Sequence, residues 1–166
     1  MEAAARVRRY LGLSHNVKHN RPLVVVVTKC DAWADLLDDR NLQEPWVMKD
    51  GRAGLNLERV ERRSQELRSL LLRVCPEVVN SAENFAETVL YVPASALGRH
   101  PVVHPRTKSL AIRPAEIRPV WVTVPLLYGL CLGVRGLIPA FKRKQAEGTS
   151  AAPAGLQTAD AGEARP

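Results

Sequence analysis

The sequence predicts an α/β fold in which a partial doubly wound parallel sheet is flanked by helices. The run LVVVV at Leu23–Val27 is continuous and β-branched, which is typical of a strand buried on both faces of a parallel sheet. An amphipathic helix pattern begins near residue 57, and a second strand pattern, TVLYV, occupies residues 88–92. A strand, a helix and a strand in this order are typical of a right-handed βαβ crossover.

The segments around the first strand predict the other elements of the first half. Residues 1–13 are expected to end a helix, residues 33–37 to form one short helix, and residues 41–56 to form a loop. Asn56 is a suitable N-cap for the long helix, and Pro76 is expected to end it. The mostly apolar face of this helix recurs at three- and four-residue steps and consists of Leu57, Val60, Ser64, Leu67, Leu71 and Val74.

The second half combines a short helix, a proline-rich loop and a closing helix. Residues 77–86 predict the short helix that leads into the second strand. Residues 99–118 hold three prolines and no apolar period, so they are expected to form a loop. Residues 119–139 predict the closing helix, in which Gly129 and Gly133 favour close packing against a neighbouring helix.

Length and composition fit one domain with a tail. The chain has 166 residues, of which 46% are hydrophobic and 25% are charged, an ordinary globular composition. Residues 1–142 are therefore expected to fold as one domain, and residues 143–166, with almost no large apolar side chain, to form a disordered tail. The three cysteines lack the spacing of a metal site or a disulfide framework, which indicates a reducing compartment; they are Cys30, Cys75 and Cys131.

The N-terminus has no apolar stretch of signal length, so a cytoplasmic location is expected. The one candidate for a membrane span, residues 119–134, is 16 residues long and includes Pro125, whereas a spanning helix needs about 20 apolar residues. The net charge of +7 is concentrated in residues 1–22, 99–118 and 135–144. Such basic flanks suit nucleic acid or an anionic membrane, but a solvated surface is the simpler interpretation, and nothing else supports either partner.

Polar side chains follow both predicted strands at their carboxyl ends, where α/β sheets bind ligands. The first strand is followed by TKCD at residues 28–31, and the second by PASAL at residues 93–97. Guanine presents two adjacent donors, N1–H and its exocyclic amine, and a carboxylate such as that of Asp31 accepts both. Adenine has no such donor pair. In an alternative interpretation, Asp31 only caps the short helix that follows.

The TKCD and SAL segments follow the two predicted strands. They resemble the fourth and fifth sequence motifs of Ras-like P-loop GTPase domains, the two motifs that recognise guanine. The resemblance implies that Asp31 accepts from the base, that the stem of Lys29 lies along the purine, and that backbone N–H groups of the 95–97 turn meet O6. Thr28 would tie this loop to the phosphate loop. Two features depart from the family: leucine stands at position 97, where many relatives have lysine, and 63 residues separate Asp31 from Ser95. The implied guanine-binding residues are Thr28, Lys29, Asp31, Ser95, Ala96 and Leu97.

The resemblance covers only the second half of that domain, over roughly residues 1–140. The sequence contains no GxxxxGK[ST] segment and no DxxG segment, so it offers neither a phosphate loop nor a metal-linked switch. Because phosphate positioning dominates catalysis in this class, no GTP hydrolysis is expected from this chain alone. GTP or GDP should bind in the millimolar range at best, because base contacts alone must overcome the entropy of association. Magnesium would bind only together with the missing half.

Two functions therefore remain open. The chain is either a guanine-binding half-domain that needs an upstream segment or a partner for phosphate binding, or a degenerate protein-interaction module without nucleotide binding. The same pattern would arise if the sequence were the second part of a longer protein. In the family, the strand equivalent to Leu23–Val27 has two neighbours, one of which is missing here. The resulting open edge predicts homo-oligomers or aggregates of the chain alone.

Overall fold

A computed structural model of the protein describes residues 2–14, 16–37, 42–103, 106, 108–134 and 136–141. It is an α/β structure, as the sequence predicts. The predicted tail at residues 143–166 lies outside the described residues. In chain order, the helices and strands are α1 (Glu2–Tyr10), β1 (Leu23–Val27), β2 (Trp46–Lys49), β3 (Arg52–Asn56), α2 (Leu57–Val74), α3 (Pro76–Phe85), β4 (Val89–Pro93), β5 (Val102–Val103), β6 (Leu110–Ala111), α4 (Val124–Gly133) and β7 (Ala140–Phe141).

The two strong strand patterns form a parallel pair. β1 and β4 lie side by side, in a register that runs from Leu23 opposite Val89 to Val27 opposite Pro93. Two smaller sheets complete the described strands: β2, β3 and β7 form one, and β5 and β6 form the other. The βαβ crossover from β1 to β4 therefore brings the carboxyl ends of both strands to one edge of the parallel pair.

The long helix α2 begins and ends where the sequence predicts. The side chain of Asn56 accepts a hydrogen bond from the backbone N–H of Arg59 at 3.0 Å, which satisfies one of the free donors of the first turn. The helix ends at Val74, and Pro76 opens α3 at a position where its missing N–H costs nothing. Val74 is the one member of the predicted apolar face that is exposed, at 57%.

Helix α2 also closes the outer edge of β4. Ala94 donates its N–H to the carbonyl of Val27 in β1, so the N–H of Tyr91, three residues earlier, points to the other side of the strand. There it donates to the hydroxyl of Ser64 at 2.8 Å. Pro93 has no N–H to offer at that edge. No described strand pairs with the corresponding outer edge of β1.

The prediction that β1 is buried on both faces is wrong at Val26. This residue is 41% exposed, whereas its neighbours in the strand are half-buried. Val26 lies on the same face of the strand as Val24, but of the two only Val24 packs against the buried core on that face.

Alternation along β4 divides the core into two clusters. Leu90 and Val92 face one cluster, and Tyr91 faces the other. The first cluster joins β4 to the start of α2 and to α4, and its buried residues are Leu55, Leu57, Val60, Leu90, Val92, Trp121, Val124 and Tyr128. The second joins β4 to the rest of α2 and to α3, and its buried residues are Leu37, Leu67, Leu70, Leu71, Val79, Ala82 and Tyr91.

The loop predicted for residues 41–56 is wrong over most of its length, because β2 and β3 form a hairpin there. Its two turn residues, Asp50 and Gly51, both have positive φ, at 52° and 73°. This conformation matches the right-handed twist of the strands, and Asp-Gly is a favoured pair for it. The predicted single helix near residues 33–37 is instead two 3-10 turns, Cys30–Ala32 and Ala34–Leu36.

The C-terminal part also differs from the prediction. The 99–118 segment includes the short ribbon of β5 and β6, and β7 follows α4 and pairs with β3 in parallel. Close packing at Gly129 and Gly133 is wrong, since a Cβ at either position would meet no atom within 4 Å. Among the described helices, none combines the length and apolarity that crossing a membrane requires.

An ion pair fastens α2 to α3 beside the second cluster. Arg68 donates to both carboxylate oxygens of Glu83, from Nε at 2.5 Å and from Nη2 at 2.9 Å. The hydroxyl of Tyr91 lies 3.4 Å from the same carboxylate. The hydrogen bond from Arg68 lowers the pKa of Glu83 below its ordinary value. Burial, and then the charge of Glu83, raise the pKa of Tyr91 to about 12.

Glu83→Gln should lower the stability of the domain near neutral pH and have less effect in acid. The folded pKa of Glu83 lies below the unfolded value of about 4.3, so the carboxylate's contribution is complete above that pH and is lost as the pH falls through the folded pKa. Urea unfolding at several pH values measures the difference from the wild type. The matched control is Glu87→Gln at an exposed carboxylate. A difference that stays constant from neutral pH to about pH 3 would contradict this role of the pair.

Candidate functional site

Two loops meet at the carboxyl ends of β1 and β4. Their backbones are joined directly: Ala94 donates its N–H to the carbonyl of Val27 at 3.0 Å, and Cys30 donates to the carbonyl of Ala94 at 3.1 Å. Residues 28–31 and 94–98 therefore form one surface, although a long stretch of chain separates them in sequence. This edge of a parallel sheet is where α/β folds bind ligands.

Ser95 and Asp31 are in direct contact on this surface. The hydroxyl of Ser95 donates to Oδ1 of Asp31, 64 positions away in the chain. The same hydroxyl accepts the N–H of Gly98 at 2.8 Å, and Ser95 is only 3% exposed. No described residue donates to Oδ2 of Asp31, so this oxygen can accept hydrogen bonds from a ligand. Ser95 thus fixes the orientation of the Asp31 carboxylate, and Oδ2 of that carboxylate can still accept hydrogen bonds.

The alternative interpretation of Asp31 as a helix cap is wrong. Asp31 lies inside the 3-10 turn Cys30–Ala32, whose N-cap is Lys29, and no side chain bonds the backbone at that cap. The next turn, Ala34–Leu36, has Trp33 as its N-cap and likewise has no side-chain cap. The Asp31 carboxylate bonds the hydroxyl of Ser95 instead.

The first loop is shaped by Lys29 and supported by Trp33. Lys29 is exposed and has a left-handed backbone, with φ 56° and ψ 40°, which turns the chain sharply after β1. The indole N–H of Trp33 donates to the carbonyl of Thr28 at 2.8 Å. Sequence reasoning missed this role of Trp33, because no local motif indicates which carbonyl an indole will reach.

The second loop rests on residues 118–120. Ser95 and Val120 exchange backbone hydrogen bonds in both directions, at 3.0 Å and 2.8 Å, and Arg118 donates to the carbonyl of Leu97 at 3.0 Å. Gly98 has φ +70°, and a Cβ there would collide with the carbonyl oxygen of Arg118, so the turn requires glycine.

Two exposed residues of this loop have backbone N–H groups that make no hydrogen bond within the described chain. Ala96 and Leu97 are both exposed, and their N–H groups donate to no atom of the described chain. Both groups are therefore available to a ligand that approaches Asp31. Of the six residues predicted for guanine binding, Asp31 and Ser95 are in contact, and Thr28, Lys29, Ala96 and Leu97 lie in the same two loops.

Cys30 lies beneath this surface and is fully buried. Burial, and then the negative charge of Asp31, raise the pKa of its thiol to about 11. The thiol therefore stays protonated at neutral pH and is a poor nucleophile. Cys30 acts as a small apolar side chain under the first loop.

The surface offers a carboxylate, a cation and backbone donors. Such a combination of acceptors and donors can form hydrogen bonds with a flat polar ligand. Within the described residues, no group of three or more His, Cys, Asp or Glu side chains is placed to hold a metal ion. Two surface grooves of about 440 Å³ lie elsewhere, one beside Leu36, Leu37 and α2, the other between α2 and the β2–β3 hairpin.

Comparison of the chain with protein family models, with curated proteins and with solved structures gave no match.

Ser95→Ala should destabilise the domain by about 1–3 kcal/mol, because it removes the only described partner of the Gly98 N–H and the donor to Asp31. Ser69→Ala is the matched control, since the Ser69 hydroxyl makes one exposed bond within α2, to the carbonyl of Gln65. Urea unfolding of both variants measures the difference. Equal, small effects of the two substitutions would show that Ser95 does not hold the loops together.

Proposed function

We propose that the chain binds the guanine base of a nucleotide at the joined loops 28–31 and 95–97. The observation that carries this proposal is the hydrogen bond from the Ser95 hydroxyl to Oδ1 of Asp31. It restrains the carboxylate, so that Oδ2 and the remaining lone pair of Oδ1 accept from N1–H and the exocyclic amine of guanine. A restrained acceptor loses less conformational entropy when the base binds.

The other groups of the surface complete the recognition. The N–H groups of Ala96 and Leu97 donate to O6 of guanine, and the stem of Lys29 covers one face of the purine. Adenine would place its N1 acceptor against the Asp31 carboxylate and its amine against backbone N–H groups. Both contacts are unfavourable, and leaving polar groups unpaired in this way discriminates strongly between bases.

Binding of a whole nucleotide needs phosphate contacts from elsewhere. Base contacts alone give GTP or GDP millimolar affinity at best. An upstream segment or a partner protein supplies the phosphate loop and the magnesium site, and GTP hydrolysis occurs only in such a completed domain. The outer edge of β1 suits this addition, because no described strand pairs with it and it leads directly into Thr28 and Lys29.

A second candidate function is protein binding without nucleotide. It is favoured by apolar surface that the described chain leaves uncovered. Helix α4 is apolar on all sides, yet Leu126 in it is 68% exposed and Leu132 is 45% exposed. A helix that is hydrophobic all round is normally buried. The two functions differ in base selectivity, which only guanine recognition requires.

Asp31→Asn should invert the base preference from guanine to xanthine. The Oδ1 atom of the new side chain still accepts from Ser95, so its NH₂ group takes the base-facing position. There it repels the guanine amine and donates to the carbonyl that xanthine carries instead. Guanine should lose about 2 kcal/mol of binding free energy, and xanthine should gain. Competition between GMP and XMP, followed by saturation-transfer NMR, measures the preference.

Asp50→Asn is the matched control for this substitution. Asp50 is an exposed carboxylate in the β2–β3 turn with φ 52°, a conformation that asparagine adopts well. The control should keep the wild-type preference for guanine. If the Asp31→Asn protein also prefers guanine, Asp31 does not contact the base and the proposed site is wrong.

The open edge of β1 should make the isolated chain self-associate. Val26→Lys places a charge at this edge, which opposes pairing with another strand, and should shift the chain towards monomer. Val74→Lys, at an exposed valine of α2, should not. Light scattering over a range of concentrations measures the shift. A wild-type chain that stays an 18.3 kDa monomer throughout would show that the edge is closed, and the half-domain proposal would have to be given up.

A further inference from the structure

Residues 43–45, here called the strap, directly precede β2 and are hydrogen-bonded to the start of α2. The N–H of Asn56 donates to the carbonyl of Pro45 at 2.7 Å, and Nη1 of Arg59 donates to the carbonyl of Glu44 at 2.9 Å. Pro45 is fully buried. The strap is therefore anchored to the fold by its own backbone, although it has no helix or strand of its own.

The strap binds Trp121 at two points. Oε1 of Glu44 accepts the backbone N–H of Trp121 at 2.7 Å. The carbonyl of Gln43 accepts the indole N–H of Trp121 at 3.0 Å. Trp121 itself is 1% exposed and belongs to the core cluster with Val60 and Val92.

The backbone of Trp121 has an unfavourable conformation. Its φ is +54°, a left-handed value that is rare for a bulky side chain and persists only where the surroundings hold it. The ring of Trp121 is buried, its carbonyl accepts the N–H of Val124 at 3.2 Å, and the strap supplies the two bonds to its backbone N–H and its indole N–H. A carboxylate acceptor makes the bond to the backbone N–H stronger than a neutral one would.

The residue before Trp121 is the one that pairs with Ser95. Val120 exchanges both backbone hydrogen bonds with Ser95, whose hydroxyl holds Asp31 and the N–H of Gly98. A continuous series of bonds therefore runs from Glu44 through Trp121 and Val120 to Ser95 and Asp31. The φ angle of Trp121 sets the direction in which the chain passes from Val120 into Trp121, so it affects the position of Val120 beside Ser95.

We propose that Glu44 is a positioning residue for the base-binding surface. Its carboxylate holds Trp121 in the left-handed conformation, which keeps Val120 paired with Ser95 and thereby orients Asp31. The consequence for base recognition rests on the proposed function, whereas the coupling of Glu44 to Ser95 does not.

Amide hydrogen exchange of the full chain, measured by NMR, tests the coupling directly. Glu44→Ala should speed exchange of the N–H groups of Ser95, Gly98 and Val120 about tenfold or more, because local opening of these bonds becomes easier. Glu44→Gln keeps an oxygen acceptor and should restore most of the protection. Exchange at Leu67, in the middle of α2, should change little, and it reports in the same sample whether the variant has folded. Glu87→Ala, at an exposed glutamate beside the other end of β4, is the matched control.

Two results of the exchange measurement would overturn the proposal. Unchanged exchange at Ser95 and Val120 in the folded Glu44→Ala chain would show that the strap does not position this loop. Equal acceleration at Leu67 would show that Glu44 only stabilises the domain as a whole.

Binding of GMP, measured on the same samples, distinguishes a failure of the Glu44 proposal from a failure of the proposed guanine recognition. If the wild type shows no preference for GMP over AMP, guanine recognition is wrong, while the exchange data still decide the coupling. If the wild type prefers GMP and Glu44→Ala binds it equally well, Glu44 does not orient Asp31 and the proposal fails. The expected result is a loss of GMP affinity of several-fold in Glu44→Ala and recovery in Glu44→Gln, with no inversion towards XMP.

Discussion

The parallel pairing of β1 with β4 is the constraint on which the rest of the structure depends. Its register ends with Val27 opposite Pro93, so the two loops leave the sheet at the same level. A slip of one residue would turn every side chain of a strand to the other face. Tyr91 would then leave the cluster that holds α2 to α3, and Ser95 would no longer reach Asp31. The core and the candidate site are thus consequences of one register.

The two outer edges of this parallel pair differ in how far the rest of the chain covers them. Ser64 of α2 accepts the outward N–H of Tyr91, and Pro93 has none, so the edge of β4 offers little to another strand. The edge of β1 has no described neighbour, and Val26 is exposed beside it. The candidate site shows a similar difference. The loop after β4 supports Asp31 through the hydroxyl of Ser95, and no described residue supports Asp31 from beyond the edge of β1. The proposed phosphate-binding partner would join where both the sheet and the site are open.

Sequence reasoning succeeded where the signal was local and strong. The run LVVVV, the spacing of leucines after Asn56 and the polar residues after each strand predicted β1, α2 and the meeting of the two loops. The β2–β3 hairpin was not predicted although Asp50-Gly51 is a favoured turn pair, because the residues that flank the turn alternate only weakly between apolar and polar. The bond from Trp33 to the carbonyl of Thr28, five positions away, has no sequence pattern, and neither has the bond between Glu44 and Trp121, which are 77 positions apart. The close packing predicted at Gly129 and Gly133 is not found, because a spacing of small residues permits close packing without requiring it.

Selective perturbation of the two loops by a guanine nucleotide tests the central claim most directly. Two-dimensional ¹H–¹⁵N spectra of the full chain would be recorded with increasing GMP and, separately, with AMP at the same concentrations. The account predicts that GMP shifts the amide signals of Lys29, Asp31, Ala96 and Leu97 in proportion to its binding, and that AMP leaves them in place. Equal shifts with both nucleotides, or GMP-dependent shifts confined to another part of the chain, would contradict it.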